Sequence, residues 1–270
     1  MEIPIRRLSC FVILLKENRI EFNFFLTLKE ERLINKLLQP YSMKSLFITG
    51  TDTDVGKTYV TAGLAVTLRK MGVDVGIMKP FAAGTPQKKG FKSEDVEILS
   101  QSAQVSDPEN LMNPQFFKMA ASPYTASKNL KVKVNIKLVL SNFKKLSKLH
   151  SMLLVEGMGG IMTPILKNYF VTNLIKEMKI PVIIVTRSKI GTINHTIMTC
   201  KMCEKYKIPI KGIIIDNFDS GGYQVKTLQR DLKSLTNVPI LGTIPFIENL
   251  SDVSLYKNFY KNVNMNLIIK

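Results

Sequence analysis

The sequence predicts an α/β fold: a doubly wound, mainly parallel sheet with helices on both faces, in a single domain. Short, fully apolar runs such as Met152–Val155 and Gly212–Ile215 have the composition of strands buried on both faces. These runs alternate along the chain with segments of helical apolar spacing, which is the order of βαβ units. A glycine-containing loop also joins the first apolar run to the first helical segment, as loops at the ligand-binding edge of such sheets do.

Composition and charge narrow the function classes. At 270 residues, with 45% hydrophobic and 22% charged residues, the chain has the make-up of a globular protein with a sizeable core. The formal charge of +17 raises nucleic acid or an acidic membrane as partners. Because the lysines are scattered and form no arginine-rich block, we favour small anionic substrates over nucleic acid.

The three cysteines, Cys10, Cys200 and Cys203, do not build a disulfide framework and suggest a cytoplasmic protein. Cys200 and Cys203 lie inside a predicted helix without a second ligand pair, so we interpret them as packing residues. The apolar run Cys10–Leu15 is too short to span a membrane.

Residues 1–42 differ from the rest of the chain. They contain short apolar runs and a mixed-charge stretch of helical character ending at Pro40, and Met43 stands just before the first strand of the α/β pattern. We expect 1–42 to be a dispensable N-terminal extension or the result of a mis-assigned start, and 43–270 to be the catalytic domain.

Apolar periodicity and glycine and proline positions give the elements in order. A strand at 46–48 precedes a helix from Tyr59 to Met71, which stops at Gly72. The later expected elements are a strand at 73–78, a loop at 82–90, a helix opened by Ser93, an irregular stretch at 101–135, a helix at 136–149 and strands at 152–155, 181–185, 212–215 and 240–242.

The loop between the first strand and helix, Gly50-Thr-Asp-Thr-Asp-Val-Gly-Lys-Thr58, has the residues of a phosphate cradle. Its backbone N–H groups and the helix N-terminus attract an anion, Lys57 reaches the terminal phosphates and the Thr58 hydroxyl can bind Mg2+. Five residues rather than four separate Gly50 from Gly56, so the loop is one residue longer than the common form.

Further polar residues follow the ends of the predicted strands: Thr53, Lys79, Glu156, Lys189 and Asp216. Because the carboxyl ends of parallel strands share one edge of the sheet, these residues are expected to meet in one site. Glu156 is placed to give a second contact to Mg2+, and Lys79 to steady a second anion beside the γ-phosphate. The residues alone therefore indicate a nucleotide-dependent phosphoryl transferase or ligase with a small anionic acceptor.

The order and spacing of several motifs resemble those of the dethiobiotin synthetase family. They are the loop 50–58, Lys79-Pro80-x-x-x-Gly84, Val155-Glu-Gly-Met-Gly-Gly160 with Thr163-Pro164, Lys189-x-Gly-x-Ile-Asn-His195 and Gly242-x-Ile-Pro245. The resemblance covers about Met43 to the C-terminus and implies a P-loop NTPase fold. It also implies a homodimer that uses ATP, Mg2+ and CO2 or bicarbonate to convert 7,8-diaminononanoate into dethiobiotin, ADP and phosphate.

The resemblance also implies roles for residues of this chain. Lys79 would be the catalytic lysine, and Mg2+ would be held by Thr58, Asp95 and Glu156. Nucleotide contacts would come from Asp54, Val55, Gly56, Lys57, Thr58, Tyr59, Asp95, Glu156, Gly157, Met158, Gly159, Asp216 and Asn217. Substrate contacts would come from Thr53, Ala83, Gly191, Thr192, Ile193 and Asn194.

Three positions depart from the family pattern. Asp54 replaces a glutamate and keeps its charge, whereas Ala83 replaces a serine and removes one hydroxyl contact. Asp216 replaces the asparagine that reads the base. A carboxylate can accept a hydrogen bond from the adenine amino group but cannot donate one to N7, so CTP or another triphosphate could compete.

Two other function classes stay open at this point. A cobyrinate-type ATP-dependent synthetase shares the loop and sheet but normally carries a glutaminase domain, for which this chain has no room. A non-catalytic P-loop ATPase with a protein or DNA partner fits the net charge. The Lys79-Pro80 element and the absence of an extra loop lysine at 51–54 count against it.

Overall fold

The computed structural model describes residues 13–16, 19–22, 44–217, 221–246 and 251–269. The chain divides into two compact units, residues 1–42 and residues 43–270. In the first unit, β1 (Ile13–Lys16) pairs with β2 (Arg19–Phe22) as an antiparallel hairpin. Cys10 and the expected helical stretch before Pro40 lie outside the described residues.

A six-stranded parallel sheet forms the centre of the second unit, in the order β12-β11-β10-β3-β7-β4. This confirms the predicted fold class. The strands of this sheet are β3 (Lys44–Gly50), β4 (Val75–Met78), β7 (Met152–Gly160), β10 (Val182–Arg187), β11 (Ile210–Asn217) and β12 (Ile240–Pro245). Two short pairs accompany it: β5 (Phe81–Ala83) with β6 (Gln115–Phe117), and β8 (Pro164–Leu166) with β9 (Tyr169–Phe170).

Helices cover both faces of this sheet. Successive strand residues point to opposite sides, so each face presents apolar side chains that helices bury. On one face, Phe47 and its neighbours form a buried cluster with α5 (Ile136–Leu149), α6 (Val171–Met178), α7 (Thr192–Tyr206) and α8 (Val225–Thr236). On the other face, Leu46 and Ile48 pack with α1 (Lys57–Lys70), α2 (Glu94–Ala103), α9 (Asp252–Asn262) and α10 (Met265–Ile269). Among the described helices, none combines the length and the apolar character needed to cross a membrane.

Cys200 and Cys203 lie on α7 and are buried in the first cluster as free thiols, which supports their interpretation as packing residues. Burial raises the pKa of Cys200 to about 11 and that of Cys203 to about 12. Both thiols are therefore protonated at neutral pH and poor nucleophiles.

The expectation of an irregular stretch at 101–135 is wrong. This stretch contains the end of α2, α3 (Glu109–Met112), β6 and α4 (Pro123–Leu130). Two of its three prolines begin helices: Pro108 is the N-cap of α3, and Pro123 is the first residue of α4 after the N-cap Ser122. The third, Pro114, directly precedes β6. Residues 82–90 are also not wholly a loop, since Ala82 and Ala83 belong to β5.

The packing of α1 against α9 gives a first test of the fold. A Cβ on Gly63 would lie 2.0 Å from Cε2 of Phe259. We expect Gly63→Ala to lower the free energy of unfolding by about 1–3 kcal/mol, because both groups are buried and one must shift. Gly221→Ala is the matched control, since no heavy atom of the described residues lies within 4 Å of its Cβ position. Equal denaturant midpoints for the two variants would contradict this packing.

Candidate active site

The loop between β3 and α1 requires glycine at both ends. A Cβ on Gly50 would lie 2.6 Å from the carbonyl oxygen of Asp52, and one on Gly56 would lie 2.2 Å from Oδ2 of Asp216. Gly56 also has φ 87°, and Asp54 has φ 52°, both in the left-handed region. The loop thus wraps closely around the N-terminus of α1, as a phosphate cradle must.

The side chain of Lys57 lies within this loop. Its Nζ donates to the carbonyl oxygen of Asp52 at 2.8 Å, and only 8% of the residue is exposed. Burial and the nearby charge of Lys79 lower the pKa of Lys57 to about 8. An anion bound in the loop would favour the charged form of this lysine.

Lys79, at the end of β4, lies between two carboxylates. Its Nζ is 2.7 Å from Oδ2 of Asp95 and also contacts Oε1 of Glu156. The Thr58 hydroxyl lies 3.1 Å from Oδ1 of Asp95 and 2.9 Å from Oε1 of Glu156. Lys79 directly follows β4, and the other three residues belong to α2, β7 and α1, so the fold brings together groups that are far apart in the chain.

The charges in this cluster stabilise one another. Burial alone would lower the pKa of Lys79, but the negative charges of Glu156 and Asp95 outweigh this effect and raise the pKa above its ordinary value. Burial alone would raise the pKa of Asp95, yet the charge of Lys79 and the bonds from Lys79 and Thr58 lower it. At neutral pH the lysine is therefore cationic and Asp95 ionised.

The backbone of Lys79 is fixed by the last residue of α3 and the residue after it. Its N–H donates to the carbonyl oxygen of Met112 at 2.9 Å, and Nδ2 of Asn113 donates to its carbonyl oxygen at 2.6 Å. Asn113 was not predicted. No local sequence signal identifies it, because the bond depends on how residues 34 positions apart pack.

The oxygen atoms around Thr58 suit a hard cation. Glu156 is fully buried, and its Oε2 has no hydrogen-bond partner among the described residues. A buried carboxylate oxygen left unpaired is costly unless a cation or water satisfies it. With the Thr58 hydroxyl and Asp95, it supplies the oxygen donors that Mg2+ prefers.

A cleft of about 830 Å³ opens above this cluster. Of the predicted residues, it is lined by Thr53, Asp54, Gly56, Lys57, Thr58, Tyr59, Lys79, Ala83, Asp95, Met158, Gly159 and Asp216. The walls that were not predicted are Ala82, Ala120, Ala121, Ser122, Thr163, Pro164 and Arg187. Among these residues, Ser122 could have been found from the sequence, because Ser122-Pro123 is a typical helix start.

Other predicted residues do not line this cleft. Val55, Gly157 and Glu156 are buried beside or beneath it, and Asn217 is half-buried at the end of β11. Lys189 is exposed and also lies outside the cleft, although it follows β10 as expected. The remaining ones are the predicted substrate residues Gly191, Thr192, Ile193 and Asn194 at the start of α7.

A network of threonines connects the start of α7 to the phosphate loop. The hydroxyl of Thr186 on β10 is 3.2 Å from that of Thr51 and 3.0 Å from that of Thr196, and it also contacts that of Thr192. Next to it, a second cleft of about 660 Å³ is lined by residues of α7, Met198 and Met202 among them, by residues 160–163 and by residues 51 and 52 of the loop. The loop and α7 are thus held as one unit.

Comparison with known proteins identifies the family. A family model described as an AAA domain matches residues 44–254. The chain is 71% identical to the ATP-dependent dethiobiotin synthetase BioD of Nitrosopumilus maritimus (strain SCM1), over 84% of this chain and 100% of that protein. It is 36% identical to BioD of Bacillus subtilis (strain 168), over 84% of this chain and 98% of that protein.

Among solved structures, a ParA family ATPase from Chlorobium tepidum TLS matches 84% of this chain and 92% of that one, at 13% identity and a TM-score of 0.48. The two sequence relatives are far above the similarity at which a family is shared, and they bear out the motif resemblance. The chain belongs to the dethiobiotin synthetase family.

Proposed function

We propose that this chain closes the ureido ring of dethiobiotin from 7,8-diaminononanoate, CO2 and ATP in biotin biosynthesis, in the cytoplasm. The observation that carries the proposal is the cluster of Lys79, Asp95, Glu156 and Thr58 next to Lys57 in one cleft. It combines a phosphate cradle, a cation site and a second lysine for another anion. Family membership supports dethiobiotin as the product, and we propose the carbamate of the diamine as the second anion.

The proposed reaction has three bond-forming steps. One amine of the substrate attacks CO2 and loses a proton to give a carbamate. A carbamate oxygen then attacks the γ-phosphorus of ATP, giving a carbamic–phosphoric anhydride and ADP. The second amine attacks the carbamate carbonyl, the C–O bond to phosphate breaks, and dethiobiotin and phosphate remain after loss of a proton.

In this scheme the phosphate loop and Lys57 bind the triphosphate. Lys57 exchanges its bond to the Asp52 carbonyl for bonds to the β- and γ-phosphates, which restores its full charge. The backbone amides of residues 54–58 would donate to the phosphates as well. Binding energy is thus used where charge accumulates during transfer.

Lys79 is the proposed catalytic residue. Carbamate and γ-phosphate are both anionic and repel each other on approach, so a cation between them lowers the barrier. Lys79 is held cationic by Glu156 and Asp95, with its backbone fixed by Met112 and Asn113. Little rearrangement is then needed when charge develops.

Thr58, Asp95 and Glu156 are the proposed Mg2+ ligands. The ion, when bound, neutralises charge on the β- and γ-phosphates. Lys79 pairs with the same two carboxylates, so it must share them with the cation. The bond between Thr58 and Glu156 keeps the ligand oxygens close together before the nucleotide enters.

The substrate is proposed to lie against Thr53 and Ala83, both in the cleft. Its carboxylate would bind the amides of Gly191, Thr192, Ile193 and Asn194 at the start of α7. These four residues lie outside the nucleotide cleft of their own chain, and we propose a homodimer in which the substrate site is completed near the subunit interface.

One assay tests this function. The purified chain is incubated with 7,8-diaminononanoate, bicarbonate, Mg2+ and ATP, and dethiobiotin and phosphate are measured. We expect both products in equal amounts and neither without the diamine. ATP hydrolysis at a rate independent of the diamine would contradict the proposal and favour a regulatory ATPase.

Residues 1–42 are proposed to be dispensable for this activity. The Nitrosopumilus relative is covered completely by 84% of this chain, which supports the idea that the additional residues are not needed for catalysis. A chain that begins at Met43 should have the same kcat and the same Tm as the full chain. Loss of activity or of folded protein on this truncation would show that the first unit contributes.

A further inference from the structure

The base-reading position of this chain poses a chemical problem. The edge of adenine that carries N6 and N7 offers one donor, N6–H, next to one acceptor, N7. An asparagine amide can serve both, whereas a carboxylate only accepts. Asp216 alone therefore satisfies half of this edge.

Arg187 lies beside Asp216 and has the complementary chemistry. The two residues are registered partners on the adjacent parallel strands β10 and β11, and both line the nucleotide cleft. Because paired residues of neighbouring strands point to the same face, their side chains project from the sheet together. A guanidinium only donates, and it does so through five N–H groups.

Both side chains lie against the phosphate loop. Nη1 of Arg187 donates to the carbonyl oxygen of Asp54 at 2.9 Å. The carboxylate of Asp216 lies so close to Gly56 that a Cβ there would be 2.2 Å from Oδ2. Asp216 holds the position that reads the base in the family pattern, so a nucleotide bound in this cleft would present its base to the same pair.

We propose that Asp216 and Arg187 together read adenine, with Asp216 accepting from N6–H and Arg187 donating to N7. The inference rests on the proposed function and assigns Arg187 as its specificity-determining residue. The asparagine of the family pattern both donates and accepts; here Asp216 accepts and Arg187 donates. On this basis the chain keeps its preference for ATP in spite of the carboxylate at position 216.

Guanine is the main competitor. Its N1–H and N2–H groups are adjacent donors, and the two oxygens of one carboxylate can accept from both. Reading by Asp216 alone would therefore favour GTP. Reading by the pair favours ATP, because with Arg187 donating to N7 the acceptor O6 of guanine would face the carboxylate of Asp216, whereas adenine presents N6–H there. The relatives are named as ATP-dependent, which agrees with the pair.

The test uses 7-deaza-ATP, which has a carbon in place of N7. Its affinity and those of ATP and GTP for the full chain are measured by calorimetry with Mg2+. Because a hydrogen bond from a charged donor is lost, we expect 7-deaza-ATP to bind about tenfold more weakly than ATP. Arg187→Met should bind both equally, and Arg187→Met with Asp216→Asn should recover the preference, since the amide can donate.

Lys226→Met, which removes an exposed positive charge from α8, is the control and should keep the wild-type preference. Equal binding of ATP and 7-deaza-ATP by the wild-type chain, or tighter binding of GTP, would overturn the inference. So would an equal loss of both adenine nucleotides in Arg187→Met, which would mean that Arg187 only supports the loop. Dethiobiotin formation with ATP, measured separately, shows whether the proposed function stands in each case.

Discussion

Replacing Lys79 by methionine should reduce kcat for dethiobiotin formation by about 10²–10³-fold, with ATP affinity little changed. Methionine has nearly the same length but no charge, so in the proposed mechanism the carbamate and the γ-phosphate would lose the cation between them. Removing one preorganised electrostatic contact to a developing charge typically has this cost. Initial rates at saturating substrates and calorimetric ATP titrations give the two quantities.

The same variant also separates Lys79 from the metal ligands. Without Lys79, the buried carboxylate of Glu156 and that of Asp95 lose the cation in direct contact with them, and unfolding should become easier by roughly 3–5 kcal/mol in the absence of Mg2+. Mg2+ should restore much of this loss, so the Tm increase on adding Mg2+ should be larger than in the wild type. Glu156→Gln should show the opposite behaviour, with little response to Mg2+.

Lys144→Met, an exposed change on α5, is the control for charge and should leave kcat and the Mg2+ response unchanged. If Lys79→Met lost ATP affinity and turnover to the same extent, Lys79 would belong to the phosphate cradle. If it kept full turnover, the proposed mechanism would be wrong.

The part of the site that sequence could predict consists of residues at strand ends. Lys79 and Asp216 follow apolar runs, and parallel strands bring their carboxyl ends to one edge whatever the lengths of the connections. The phosphate loop also follows the carboxyl end of a parallel strand, β3. The same argument therefore places Lys57 and Thr58 in this cleft. Arg187 follows the apolar run of β10 and could have been found in the same way.

Other features depend on contacts that local patterns do not encode. The pairing of Phe81 with Gln115 makes β5 a strand, although its own sequence looks like a loop. Asn113 holds Lys79 through a side-chain bond between distant segments. The position of Asp95 opposite Lys79 came only from the family resemblance, because the start of a helix does not reveal which strand end it faces.

Lys57→Ala should weaken ATP binding by about 100-fold while leaving the fold intact. The lysine makes charge-assisted contacts to the phosphates in the proposed complex, and losing such a contact costs about 1.5–3 kcal/mol each. Its present hydrogen bond is to a carbonyl of its own loop, so the fold loses little. Lys137→Ala, an exposed change on α5, is the control and should bind ATP normally. Unchanged ATP affinity in Lys57→Ala would contradict the assignment of the loop.

The pKa of Lys57 adds a pH dependence to this prediction. The pKa is lowered to about 8 in the free protein, so the lysine is charged below pH 8 and becomes neutral above it. Since the phosphates bind the charged form, the Kd for ATP should rise by up to about tenfold for each pH unit above 8. The free energy of unfolding should increase over the same pH range. Burying the charged lysine disfavours folding below pH 8, and this penalty is relieved as the pH rises from 8 towards the pKa of the lysine in the unfolded chain. Kd measured from pH 7 to 9.5 in the wild type should therefore show a bend that is absent in Lys57→Ala.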